Sequence, residues 1–186
     1  GAASAAQRLV TAPSVSTAPH LVDPLVIEAV VERLDAKISV FAAALERFGA
    51  GAVLATNTSS LSVTAIAAGV AAPNRVIGMH FFNPVPVMRL VEVVSGLQTD
   101  STLIVEVADT ARAWGKDVAL VRSAPGFIVN RVARAFYGEA LRLVEEGAAE
   151  PECIDEVMRG AGGFRMGPFE LMDLIGGEVN DAVTRT

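Results

Sequence analysis

The sequence predicts an α/β domain with a mostly parallel sheet, followed by an all-helical stretch. Three observations support this. Short β-branched runs alternate with helical apolar stripes up to about residue 123. Glycines and prolines punctuate the alternation at the ends of the runs. From Pro125 onward only helical patterns remain.

The elements follow in order. "LVIEAVV" at 25–31 is a short apolar run of the kind expected for a strand buried on both faces. Leu34, Ile38, Phe41, Leu45 and Phe48 recur at alternating spacings of four and three, which makes one helical stripe, and "GAG" at 49–51 stops it. "AVLATNT" at 52–58 is the next strand, and "SLSVTAIAAGV" is a short helix with a serine-rich start. "RVIGMHFF" and "RLVEVV" form a third and a fourth strand. Asp100 or Ser101 caps a helix bearing Ile104, Val107, Ala108, Ala111 and Trp114, which ends at Gly115. "KDVALVR" is the last strand. A long helix then opens at Pro125 and closes at Gly147. "PECIDEVMRGAGG" and "GPFELMDLIGGEVNDAVTRT" are further helical stretches. The expected domains are 1–122 and 123–186.

Composition narrows the class of protein. The 186 residues are 52% hydrophobic, enough to fill a core and too apolar for a disordered segment. No apolar run approaches the roughly 20 residues of a membrane helix, and the start lacks the apolar centre of a secretion signal. Cys153 is the single cysteine, so neither an internal disulfide nor a cysteine-based zinc site is expected, which fits a reducing cytoplasm. A net charge of −6 argues against a nucleic-acid surface, which needs clustered Lys and Arg. No G-x-G-x-x-G occurs. "GAG" at 49–51 and "GAGG" at 160–163 follow helices and open none after a strand.

The candidate chemistry lies in "GMHFFNPVPVMRLVEVV", residues 78–94. His80 ends a strand, and the carboxyl ends of strands are where open α/β sheets place ligands. Glu92 lies within the next strand between Val91 and Val93, where a buried carboxylate needs a partner. A His–Glu pair fixes the ring tautomer and stabilises the imidazolium formed when the ring takes a proton. The alternative is that His80 is a packed core residue. "TNTSS" at 56–60 is either a helix cap or a set of groups pointed at a ligand. Asn130, read as one turn into the long helix, is either a cap or a ligand to a substrate oxygen.

These segments, with "VIEAVVERLDAK", "TNTSSL", "SAPGFIVNR" and "MGPFELMDLIG", resemble the 3-hydroxyacyl-CoA dehydrogenase family from about residue 25 to the end. Within it, "VVSGL", "NRVARAFY" and "MGPFELMDLIGGEVNDAVT" look most like the 3-hydroxyadipyl-CoA dehydrogenases of phenylacetate breakdown. The resemblance implies the second half of a Rossmann-type NAD-binding domain followed by the start of an all-α domain that pairs subunits into a homodimer. It makes His80 the catalytic base, Glu92 its partner, and Ser59 and Asn130 the groups that meet the substrate oxygen. It also makes Glu32 and Lys37 contacts of NAD and sets Asn57 and Asn83, with Ser59, near the nicotinamide. The implied reaction is NAD-dependent oxidation of a (3S)-3-hydroxyacyl-CoA. The alternatives are the dehydrogenase portion of a multifunctional β-oxidation protein and a catalytically silent protein on the same fold. Relative to the family pattern, the first strands with the Gly-rich turn and the end of the helical domain are missing, so an interior fragment is expected. Arg134, four residues after Asn130, shares its helix face and would meet a terminal substrate carboxylate; otherwise it is structural.

Overall fold

The computed structural model describes residues 7–176. The chain falls into two compact units, Gly1–Ser123 and Ala124–Thr186. The first is a five-stranded sheet in the order β1 (Leu25–Glu28), β2 (Val53–Thr56), β3 (Val76–Phe81), β4 (Leu90–Ser95) and β5 (Asp117–Arg122). Neighbours pair parallel except β3 with β4, which are antiparallel and joined by the short segment 82–89. Helix α1 (Leu34–Phe48) connects β1 to β2, α2 (Val63–Ala68) lies between β2 and β3, and α3 (Ser101–Ala113) connects β4 to β5.

The period-2 alternation of the strands sorts side chains between the two faces. Val53, Ala55, Ile77, Met79, Val91 and Val93 pack on one face against Leu103, Val107 and Ala111 of α3. The intervening positions, Glu28, Thr56, Gly78, His80 and Glu92, therefore project from the opposite face. Gly78 is needed there for space, since a Cβ would sit 2.8 Å from Val94 Cβ and 3.1 Å from Val63 Cγ2.

Three expectations are corrected. The first strand is shorter than 25–31 and is not buried on both faces: it ends at Glu28, and Ile27, Val30 and Val31 are exposed. Its end has a local cause. The Glu28 carboxylate accepts the Val30 amide (2.6 Å), which turns the chain out of the sheet. The buried side of α1 comprises Lys37, Phe41 and Ala44, whereas Leu34 of the expected stripe is 40% exposed. A lysine takes a core position because carboxylates compensate its charge, as described below.

The third correction concerns the helical unit, which contains α4 (Val129–Glu145), α5 (Pro151–Gly160) and α6 (Pro168–Ile175). The long helix begins at Val129, not Pro125, because Gly126 (φ 70°) and Phe127 (φ 46°) adopt left-handed backbone in a turn closed from Phe127 N to Ala124 O. Asn130 is therefore in the first turn of α4 and not one turn in. Asp155 accepts the Phe169 and Glu170 amides at 2.9 and 3.0 Å, which caps α6 from α5. The last part of the helical stretch expected over 167–186 lies outside the described residues.

Candidate active site

His80 and Glu92 are directly opposed in the antiparallel β3–β4 ladder, where facing side chains come closest. Their side chains meet: His80 Nδ1 donates to Glu92 Oε2 at 2.7 Å. Glu92 is fully buried and His80 is 6% exposed, so the pair sits in a low-dielectric setting where its interaction is strong. The Phe82 ring stands 4.5 Å from the imidazole, tilted by 54°. With Nδ1 as donor to the carboxylate, Nε2 is the nitrogen that accepts a proton, and Glu92 balances the charge that results.

A second cluster forms at the carboxyl ends of β1 and β2. Lys37 Nζ lies 2.7 Å from Glu28 Oε1 and 3.2 Å from Glu32 Oε2, and Lys37 and Glu28 are fully buried. Thr56 Oγ1 donates to Glu28 Oε2 at 2.8 Å and accepts the Thr58 amide at 3.2 Å. Glu32 Oε1 accepts the Ser59 amide at 3.0 Å, the Ser60 amide at 3.1 Å and the hydroxyls of Thr58 and Ser60. Burial pushes the Glu32 carboxyl up, but the Thr58 hydroxyl, the Lys37 charge and the Ser60 amide outweigh it and hold its pKa at about 2. The "TNTSS" segment is thus tied down by carboxylates, and Ser62, not one of its own serines, caps α2 through the Ala65 amide.

His80 and Glu92 therefore come together, as do Glu32, Lys37 and the Ser59 backbone. Asn57 is half-buried, and its Oδ1 accepts the Phe81 amide at 2.9 Å, which links the β2 end to the strand bearing His80. Asn83 is exposed at the start of the turn after β3. Asn130 and Arg134 belong to the helical unit, a turn apart on α4 and both partly buried. The sequence reading missed Glu28, and it held Thr56 and Thr58 only within the "TNTSS" segment, with no role of their own. Glu28 had a signal of the same kind as Glu92, a carboxylate inside an apolar run. Nothing in the segment separated Thr56, at the end of β2, from an ordinary strand threonine. Among the described residues no cluster of three or more His, Cys, Asp or Glu could hold a metal ion, and no helix is long and apolar enough to cross a membrane.

Residues 2–124 match the family described as "3-hydroxyacyl-CoA dehydrogenase, NAD binding domain", and residues 126–186 match "3-hydroxyacyl-CoA dehydrogenase, C-terminal domain". The match begins well before residue 25, where the motifs alone placed it. The chain is 54% identical to 3-hydroxyadipyl-CoA dehydrogenase of Escherichia coli over 86% of its length, covering 34% of that protein. It is 42% identical to the human mitochondrial hydroxyacyl-coenzyme A dehydrogenase over 90% of its length, covering 53% of that protein. The crystal structure of (S)-3-hydroxybutyryl-CoA dehydrogenase from Ralstonia eutropha superposes with a TM-score of 0.84 at 42% identity, over 88% of this chain and 57% of that one. The chain thus spans between a third and about half of the relatives it matches. Both of its units are accounted for by one pair of domains, and the chain belongs to the 3-hydroxyacyl-CoA dehydrogenase family.

Proposed function

We propose that this chain bears the proton-transfer site of an NAD-dependent dehydrogenase that oxidises a (3S)-3-hydroxyacyl-CoA to the 3-ketoacyl-CoA. The observation that supports this most is the buried His80–Glu92 pair at 2.7 Å. The reaction removes a proton from the C3 hydroxyl and a hydride from C3. NAD, when bound, supplies the hydride acceptor. The protein's share is the proton: His80 takes it at Nε2, and the Glu92 carboxylate stabilises the imidazolium and holds the ring in the tautomer that can accept. The family resemblance gives Ser59 and Asn130 the role of meeting the C3 oxygen, which a hydroxyl and an amide have the chemistry to do.

The donor set at the carboxyl ends of β2 and β3 fits the nicotinamide end of NAD. With its Oδ1 occupied by the Phe81 amide, Asn57 has an amide NH2 to offer, and Ser59 and Asn83 add further polar groups. Lys37 is buried between Glu28 and Glu32, so cofactor contact in that cluster falls to Glu32 and the backbone it holds. The sequence has no G-x-G-x-x-G turn, and we assign no residue of this chain to the pyrophosphate.

The finer reading is a 3-hydroxyadipyl-CoA substrate, supported by the E. coli relative of that name and by Arg134 one turn beyond Asn130. A homodimer through the helical unit is supported by an apolar groove there of about 750 Å³ between Ile128, Val132, Phe136, Phe164, Met166 and Leu171. A cytoplasmic location fits the single cysteine. The test is stereochemical. A purified dehydrogenase containing this chain is expected to form NADH from (S)-3-hydroxybutyryl-CoA or (S)-3-hydroxyadipyl-CoA and not from the R isomers. Failure to oxidise any 3-hydroxyacyl-CoA would refute the proposal.

A further inference from the structure

Glu28 has no part in the proton transfer, yet it is fully buried, and a buried carboxylate is costly unless fully partnered. Both of its oxygens lead to the Ser59 segment. One route is short: Oε2 accepts the Thr56 hydroxyl at 2.8 Å, and that hydroxyl in turn accepts the Thr58 amide at 3.2 Å. The other is longer. Oε1 holds Lys37 Nζ at 2.7 Å, the ammonium holds Glu32 Oε2 at 3.2 Å, and Glu32 Oε1 accepts the Ser59 and Ser60 amides. The amides of 58, 59 and 60 thus all trace back to Glu28.

We propose that Glu28 is a positioning residue that sets the backbone around Ser59, at Thr58 through Thr56 and at Ser59 and Ser60 through the Lys37–Glu32 ion pair. The inference rests on Ser59 meeting the substrate oxygen in the dehydrogenase read above. Without the Glu28 charge, Lys37 has Glu32 as its remaining carboxylate and draws it away from the loop amides. Asn57 and His80 are spared, because the Asn57 amide bonds to the Glu28 carbonyl and not to its side chain.

The test is E28Q, examined by amide hydrogen exchange and by steady-state kinetics in the dehydrogenase containing this chain. Exchange at Thr58, Ser59 and Ser60 is expected to quicken at least about 10-fold, with β4 and β5 unchanged. Turnover is expected to fall about 10- to 100-fold with KM little altered, because a displaced hydroxyl costs most in the transition state. T56V cuts only the short route and should quicken Thr58 while leaving Ser59 and Ser60 protected; it serves if E28Q does not fold. Unchanged loop exchange in E28Q, or a uniform rise across the sheet, overturns the inference. So does faster loop exchange with normal kcat where H80Q lowers kcat, an outcome that leaves the dehydrogenase reading intact. If neither variant lowers kcat, both readings fall.

Discussion

Replacing His80 by glutamine tests the proton-transfer assignment with little disturbance of packing. The glutamine side chain is close in length to imidazole and its NH2 can still donate to Glu92 Oε2, so the fully buried carboxylate keeps a partner. What is lost is a nitrogen able to accept a proton near neutral pH. General-base catalysis is typically worth about 10²–10⁴-fold. That corresponds to about 3–5 kcal/mol of barrier, and kcat of H80Q should fall by that amount. E92Q should also lower kcat, because a neutral amide cannot balance an imidazolium in a buried site. NAD affinity should stay near wild type in both variants. The assay is NADH formation from a saturating (S)-3-hydroxyacyl-CoA, with NAD binding followed by fluorescence titration and folding by thermal melt. Wild-type kcat in a folded H80Q enzyme would show that His80 is not the base. A large loss of NAD binding would instead place the pair in the cofactor site.

Three further outcomes are expected. Glu32 has a folded pKa depressed to about 2, so its contribution is complete above about 4.5 and is lost as pH falls through about 2. Discounted for a side chain 37% exposed, it amounts to roughly 1–2 kcal/mol. Ser59 and Ser60 amide resonances that do not titrate within that window would refute the linkage. Gly78→Ala should destabilise the sheet unit by about 1–3 kcal/mol in urea unfolding, since the new methyl overlaps Val94 and Val63. An unchanged midpoint would show that α2 can shift to make room. Arg134→Met should reduce kcat/KM for hydroxyadipyl-CoA roughly 10- to 150-fold more than for hydroxybutyryl-CoA, the worth of one charge-assisted hydrogen bond. Equal losses would make Arg134 structural.

Much of the architecture was legible in the sequence because it depends on local periodicity. The β3–β4 strands, α3 with its Asp100 cap, and the change to helices alone after residue 123 follow from apolar spacing and from caps within a few residues. The His80–Glu92 pair was legible only in part: the pattern left a packed core histidine as an equal alternative, and the family resemblance decided for the pair. A carboxylate flanked by valines needs a partner if it is buried, and the short turn brings the ends of the two strands into reach of each other. Tertiary structure decided what no local pattern encodes. Lys37 lies on the buried side of α1, four residues before Phe41, although a lysine is almost never fully buried unless paired. Two carboxylates from the stretch that leads into the helix, Glu28 and Glu32, neutralise it there once the chain has folded back on itself. Where β1 stops depends on the Glu28 side chain folding back onto the Val30 amide, and where α4 starts depends on left-handed backbone at Gly126 and Phe127. Charge compensation and side-chain-to-backbone hydrogen bonding override propensity at those sites, because burying an unpaired ion costs more than any local preference returns.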